Sequence, residues 1–406
     1  MRISLAAPLL GLCLSVVAHR ASAQQSDTSR SDSTRRSAPA RLAPVVVRNS
    51  RVVGVDARIP SQVDDIRLGT APAGPAAAYE LLRRLPGVTL FDDQGSRLQP
   101  ELDLRGFIVS PVVGQPQSVS VFLDGVRINE PDAQEVNFDL IPMDAVNRAE
   151  LVRGPSAIFG KNSLAGSLLL FTDRGTSKSE TSADLDTGPY GYRSAHLKAS
   201  GMVAGIDGLL TARLSQEQGW RDATEAHTSM LFGNIGRKRD SSDVALSVMY
   251  ARDKLFEAGS LPETYLAANP RINYTPGDFF QPEVFDLALR GQRYLGGGQL
   301  SGNLFWRRND YEQYNGNDLP PNSDGFVRNL SAGGLAEWTR LTRIYGLAAT
   351  VTVGAEYSHA NVGYRFLAVA RRGVPADSGD LADLGCVVPS GLCTDVRTRE
   401  DNAALY

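Results

Sequence analysis

The sequence is poor in the side chains from which most catalytic and metal centres are built. It holds three cysteines and four histidines in 406 residues. Cys13 and His19 fall in the first 23 residues, and His196, His227 and His359 are scattered over separate segments, so the spacing offers no metal cluster and calls for no cofactor. No serine or cysteine nucleophile set is visible. Residues 154–161 resemble a phosphate loop only superficially. Five residues separate Gly154 from Gly160, where four are required, and Asn162 stands where Ser or Thr is needed. These absences argue against an enzyme. Beyond the N-terminus there is no apolar run of about 18 residues, which excludes a helical membrane span. A formal net charge of −3 gives no reason to invoke nucleic acid.

What is present begins with an export signal. Arg2 is followed by an apolar core over residues 3–18 and by Ala21-Ser22-Ala23, a small-residue cleavage site ahead of Gln24. The core is too short for a retained anchor, the alternative. Residues 24–40 are Ser, Thr, Asp and Arg with almost nothing apolar, the composition of a flexible leader. The run Pro44-Val45-Val46-Val47-Arg48 then reads as a strand in search of an edge, or as the first strand of the next domain. In an exported chain Cys386 and Cys393, seven positions apart, suit a local loop disulfide; two free thiols are the other reading.

Residues 52–175 have the pattern of a small α/β module. A helix is predicted over residues 76–85, with Leu81, Leu82 and Leu85 as its apolar stripe and Pro86-Gly87 as its stop. Strands are predicted over 102–107 and 118–123, the second entering the tight turn Asp124-Gly125. Residues 137–175 should hold a helical piece at 143–148, a strand at 149–152, a corner at 153–166 turning on Gly154 and Gly160, and a closing strand at 167–172.

After residue 175 the helical signals stop and the period becomes two. Segments 206–217, 243–252, 299–307 and 347–358 alternate strictly, with Leu210 and Leu214 opposing Thr211 and Arg213 in the first. Such strands are long enough to cross a bilayer when tilted. Alternate connections are short (203–208, 238–243, 296–298, 344–346) and most of the others are long (220–227, 254–283, 311–327, 363–399). An extracellular sandwich has no reason to segregate long loops to one end, whereas a membrane barrel does. Tyr250, Trp306 and Tyr357 near outward strand ends agree.

These residues resemble the TonB-dependent outer-membrane transporters. The similarity lies in four segments in order: YELLRRLPGV (79–88), LDLRGF (102–107), SVFLDGVRINEPD (120–132) and IPMDAVNRAELVRGPSAIFGKNSLAGSLLLFT (141–172). PVVVRNSR (44–51) is similar to the TonB box. The resemblance implies a signal peptide (1–23), a leader with the box (24–51), a plug (52–175) and the first part of a transmembrane β-barrel (176–406). It implies outer-membrane import of a small-molecule ligand, most often a ferric siderophore or iron chelate, in partnership with TonB, in contact with outer-membrane lipid. Arg105 and Arg153, beside Gly106 and Gly154, match the family's two RG motifs, which implies pairing with acids on the barrel's inner wall; Glu356 is the candidate partner and Glu337 a weaker one. The other readings are two surface arginines beside turn glycines and, for the whole chain, a non-energised receptor or adhesin barrel. Alternation yields about nine complete strands and the start of a tenth, short of the family's 22. An open half-barrel would leave unpaired edges in lipid, so the chain is expected to be a fragment of a longer product or to have a broken frame. Arg371-Arg372 and Tyr265, Tyr274, Phe279 and Phe280 in long loops could contact a chelate or pack on one another.

Overall fold

The computed structural model describes residues 63–67, 77–91, 98–111, 117–155, 157–316, 321–372 and 374–406. The expectations for the signal peptide, the leader and the Pro44–Arg48 box lie outside these residues.

The first part is a module of short elements: β1 (Val63–Arg67), α1 (Ala77–Leu82), β2 (Val88–Phe91), β3 (Glu101–Leu104), β4 (Phe107–Val109), β5 (Val119–Leu123), β6 (Val126–Arg127), β7 (Val146–Arg153) and β8 (Gly166–Thr172). One sheet runs β1-β7-β8-β5-β6, with β5 and β8 parallel, and a smaller sheet runs β2-β3-β4. Leu81, Leu82 and Leu85 are buried together with Leu102, Val121, Leu151 and Leu168. Removing those apolar surfaces from water drives the assembly.

Two local expectations change. Residues 102–107 are two strands, β3 and β4, because Arg105 and Gly106 both take positive φ (57° and 88°) and Asp103 Oδ1 accepts from the Gly106 amide at 2.7 Å. That is the geometry of a tight hairpin turn. The helical piece expected at 143–148 is a single turn that passes straight into β7. Val146 pairs with Thr172 and Arg148 with Phe171 of β8. The Arg148 guanidinium also lies 4.1 Å from the Phe171 ring centre. Pairing with a strand twenty-odd residues away overrides the local helical preference.

The second part is a single antiparallel wall: β9 (Glu180–Thr187), β10 (Arg193–Val203), β11 (Ile206–Glu217), β12 (Ala226–Arg239), β13 (Ser242–Phe256), β14 (Phe279–Leu295), β15 (Gly298–Asn315), β16 (Asn322–Ile344), β17 (Leu347–Arg371), the short β18 (Val374–Pro375) and β19 (Leu392–Leu405). Helices α2 (Glu263–Ala268) and α3 (Ser378–Asp383) sit in the two longest loops. Each strand from β9 to β17 pairs with its sequence neighbour, and β19 pairs with β17. Among the described residues β9 pairs only with β10 and β19 only with β17, so the wall stays open. Tight turns alternate with long loops, as the connection lengths require.

The alternation along these strands is inverted relative to a soluble protein. Leu214 is 64% exposed and Leu304 62%, while Arg213 is 3% exposed and Asn309 0%. Leucine and valine face out; arginine, asparagine and threonine face in, toward the α/β module. Water would penalise that outer face and lipid does not, which makes the wall a transmembrane one.

The passage from module to wall is unusually close. A Cβ at Gly175 would lie 2.1 Å from the Gly201 carbonyl oxygen and 2.5 Å from that of Gly208. Gly201 and Gly208 are themselves cross-strand partners in β10 and β11. Only a residue without a side chain passes over that rung. Gly175→Ala is therefore expected to force the backbones apart and lower stability by about 1–3 kcal/mol, read as a lower urea midpoint of the refolded chain; an unchanged midpoint would contradict the close crossing.

Candidate functional site

The candidate site is the interface between the module and the inner face of the wall, and the module's turns build it. Asp124 and Gly125 connect β5 to β6 with φ of 49° and 88°. The Asp124 carboxylate accepts from the Thr172 amide at 3.0 Å and from its hydroxyl at 2.6 Å, closing the turn onto β8. The same carboxylate pairs with Arg290 of β14. The Gly125 carbonyl accepts from Asn303 of β15 at 3.0 Å. A turn predicted for its backbone geometry is therefore also a docking point.

The following loop carries three acids. Arg307 of β15 donates to Glu130 at 2.6 Å and to Asp286 of β14 at 3.4 Å, and all three side chains are buried. Asp132 accepts from the Tyr311 hydroxyl and from Asn329, each at 3.0 Å. Burial pushes the Glu130 carboxyl up although Arg307 pulls it down. Glu135 is raised further, by burial and then by the charges of Asp132 and Glu130. Asp144 pairs with Arg213 of β11 at 2.5 Å. At the exit, Arg174 donates to Asp207 at 2.7 Å and Asp243 at 3.3 Å, and Asn234 donates to the Asp173 carbonyl at 2.8 Å. Apolar contact completes the seat: Leu209, Met230, Phe232, Met249 and Val284 of the wall join the module's core.

A second acidic group lies at the loop end of β13. Glu257 is buried, and burial together with Asp278 and Asp139 raises its pKa to about 8. Asp139 is raised to about 6, first by burial.

Comparison with known proteins decides what this arrangement is. Residues 62–167 match the TonB-dependent Receptor Plug Domain. Those residues carry the plug domain of the TonB-dependent receptors. The vitamin B12 transporter BtuB of Vibrio vulnificus is 22% identical over 282 residues, 68% of this chain and 43% of that protein. The Vibrio cholerae BtuB is 30% identical over 139 residues, 34% of this chain and 21% of that one. The unliganded ferric citrate transporter FecA superposes with a TM-score of 0.70 at 16% identity, covering 85% of this chain and 52% of that one. The siderophore receptor PiuA of Acinetobacter baumannii gives 0.62 at 16% identity, over 85% and 54%. The chain thus spans about half the length of the relatives it matches. The α/β module is the receptor's plug and the wall is barrel sheet.

Of the residues singled out in the sequence, the structure moves several. Arg153 donates to Asp64 at 2.5 Å and to the Pro86 carbonyl, both inside the plug, instead of to an acid on the wall. Arg105 is exposed at the β3–β4 turn. Both arginines flank the turn after α1: a Cβ on Gly87 would sit 3.4 Å from Arg153 Nη1 and 3.9 Å from Arg105 Nε. Pairs of both polarities join the two parts: the wall supplies Arg213, Arg290 and Arg307 to acids of the plug, while Arg174 and Lys161 of the plug meet Asp207, Asp243 and Glu400 of the wall. Arg213, Arg290 and Arg307 were legible only as cations at inward positions of alternating strands. Glu356 faces a cavity of about 340 Å³ shared with Arg127 and Lys161 of the plug. Glu337 is buried and accepts from the Tyr406 hydroxyl at 3.2 Å. Gly154 and Gly160 are corner positions with φ of 83° and 70°. Between them the chain makes a short 3-10 turn, with the Phe159 carbonyl accepting from Arg127 at 2.6 Å. Lys161 pairs with Glu400 of β19. Cys386 and Cys393 are joined by a disulfide beside α3. The loop aromatics pack on one another: Tyr265 lies 5.4 Å from Tyr274, Phe280 lies 5.2 Å from Tyr311, and Phe279 stacks on Tyr314 at 6.2 Å. Arg372 lies over Phe279 and donates to Glu312 at 2.7 Å, and Arg371 is exposed.

Arg307→Ala leaves Glu130 and Asp286 buried without their cation, a loss of about 3–5 kcal/mol. It is expected to appear as faster tryptic cleavage of the plug, and adding Glu130→Gln should recover part of it. Stability should also respond to pH through Glu257. A carboxyl held protonated in the fold stabilises it below the unfolded pKa of 4.5 and loses that contribution as pH rises to about 8. The urea midpoint should fall across that window, and Glu257→Gln should flatten the fall.

Proposed function

We propose that this protein imports a scarce nutrient, carried as a metal chelate, across the outer membrane with energy delivered by TonB. One observation carries the reading. The plug is held against the wall by buried ion pairs as well as apolar contact, Arg307 to Glu130 and Arg213 to Asp144 among the pairs. Such a seat can be rearranged without unfolding either part. The long loops gather at one end of the wall and would receive the ligand there. A segment outside the described residues, Pro44–Arg51, would pair as an added strand with TonB. The division into signal peptide, leader, plug and barrel at residues 23, 51 and 175, and residence in the outer membrane, belong to the same proposal. The named relatives carry vitamin B12, ferric citrate or siderophores. Their common chemistry is a metal held in an organic chelate. Iron is the first choice, and the similarity to the B12 transporters makes a cobalt corrinoid the second.

The test is uptake of radiolabelled ferric citrate and cyanocobalamin by cells carrying the gene intact, deleted, or lacking residues 44–51. Import of one of them by the intact gene, abolished by removing 44–51 while surface binding persists, is the expected result. Uptake that survives that deletion would exclude energised import, and failure to import either compound would exclude the chelate assignment. Growth under iron limitation separates the iron and corrinoid readings.

A further inference from the structure

Near the loop end of β13 the plug meets the wall through two acids, not through an acid and a cation. A single 3-10 turn at Phe138–Leu140 is buried against β13. It sets the Asp139 carboxyl against that of Asp253, an inward residue of β13, close enough to share a hydrogen bond. The two residues are 5% and 2% exposed. The Ser229 amide donates to Asp253 Oδ1 at 3.1 Å. Asp253 Oδ2 and both carboxyl oxygens of Asp139 receive no hydrogen bond among the described residues. Two buried acceptors that face each other with no donor between them repel if both are ionised.

The groups around the pair do not neutralise it. Arg213 of β11 bears on Asp253, but it is engaged by Asp144 at 2.5 Å. Glu257, just after β13, and Asp278, just before β14, add negative charge on the loop side. Gln99, ahead of β3, lies beside Asp139 and is neutral, and its buried Nε2 has no acceptor. Among the described residues no three acidic, histidine or cysteine side chains are grouped to hold a metal ion. Burial raises the Asp139 carboxyl from 3.8 to about 6.

We propose that Asp139 and Asp253 share one proton, and that this carboxyl–carboxylate bond is a pH-dependent latch between plug and wall. One acid carries the proton and donates it to the other, which supplies the missing donor. The latch is closed while the proton is held. Its contribution is complete below the unfolded value of 3.8 and is lost as pH rises through about 6. Once the proton leaves to solvent, two buried carboxylates oppose each other and the 3-10 turn is driven off β13. The pairs Arg307 to Glu130 and Arg213 to Asp144 need no shared proton and stay closed. The seat therefore has one component set by acidity and others that are not. The inference holds whichever compound is imported.

The test is hydrogen–deuterium exchange of the full chain in neutral detergent from pH 5 to pH 8, corrected for the intrinsic pH dependence of exchange. The reporters are the Leu140 and Ile141 amides, which donate to the Asn137 and Phe138 carbonyls within the turn. Their protection should fall about tenfold between pH 6 and pH 7, while that of β8 stays level. Asp139→Asn should hold the protection at its acid level up to pH 8, because a carboxamide donates to Asp253 at any pH. Asp253→Asn should do the same from the wall side, and Glu257→Gln should keep the fall. Protection indifferent to pH in the parent chain, a fall that persists in both asparagine variants, or a fall removed by Glu257→Gln would each overturn the latch. Loss of protection on adding EDTA at pH 5 would assign the bridge to a metal ion and overturn the shared proton.

Discussion

The structure depends on one constraint: charges on the inner face of the wall must find partners away from water. Arg213 and Arg307 are almost wholly buried and would be costly alone. Their partners come from the plug, across 69 and 177 positions of sequence. Each partner is carried by a loop or turn, Asp144 ahead of β7 and Glu130 between β6 and β7. The plug's strands therefore serve as a frame for presenting carboxylates. Neither part is electrostatically complete by itself, so any rearrangement of the seat has to give these charges new partners.

Much of this fold is legible in the order of the amino acids. Strand β11 occupies the residues its alternation marks, α1 buries the leucines of its stripe, and Asp124-Gly125 makes the tight turn its composition calls for. What can be read is local: a period, a turn dipeptide, an apolar face. What cannot be read is which distant group answers a given side chain. The RG motifs suggest that Arg153 reaches the wall, yet it is engaged by Asp64, and the cross-part pairs fall to other residues, Arg307 of the wall and Arg174 of the plug among them. The helix expected at 143–148 fails for the same reason, since its residues are claimed by β8. Period two shows which side chains point inward, but not which inward arginine or aspartate meets which charge of the plug.

The wall has two working faces on the same strands. Inward positions of β13, β14 and β15 serve the plug, while outward positions a residue away pass from apolar side chains to charged ones of both signs, Arg252, Glu283 and Arg308, toward the loops. A one-residue slip would exchange them, placing leucines against the plug's carboxylates and arginines in the apolar belt. The ladder of long strands, up to 25 residues in β17, resists such a slip.

The pairing of β1 with β7 has a mechanical consequence. Strand β1 is five residues long, lies at the edge of the plug sheet, and is the first described element of the chain. Tension entering from the residues before Val63 meets this strand ahead of any other in that sheet. Beyond the backbone ladder, its clasp is Asp64 against Arg153, and the same arginine is anchored on the Pro86 carbonyl after α1. Arg153 thus ties β1 to the turn after α1 through two separate contacts, Asp64 on one side and the Pro86 carbonyl on the other.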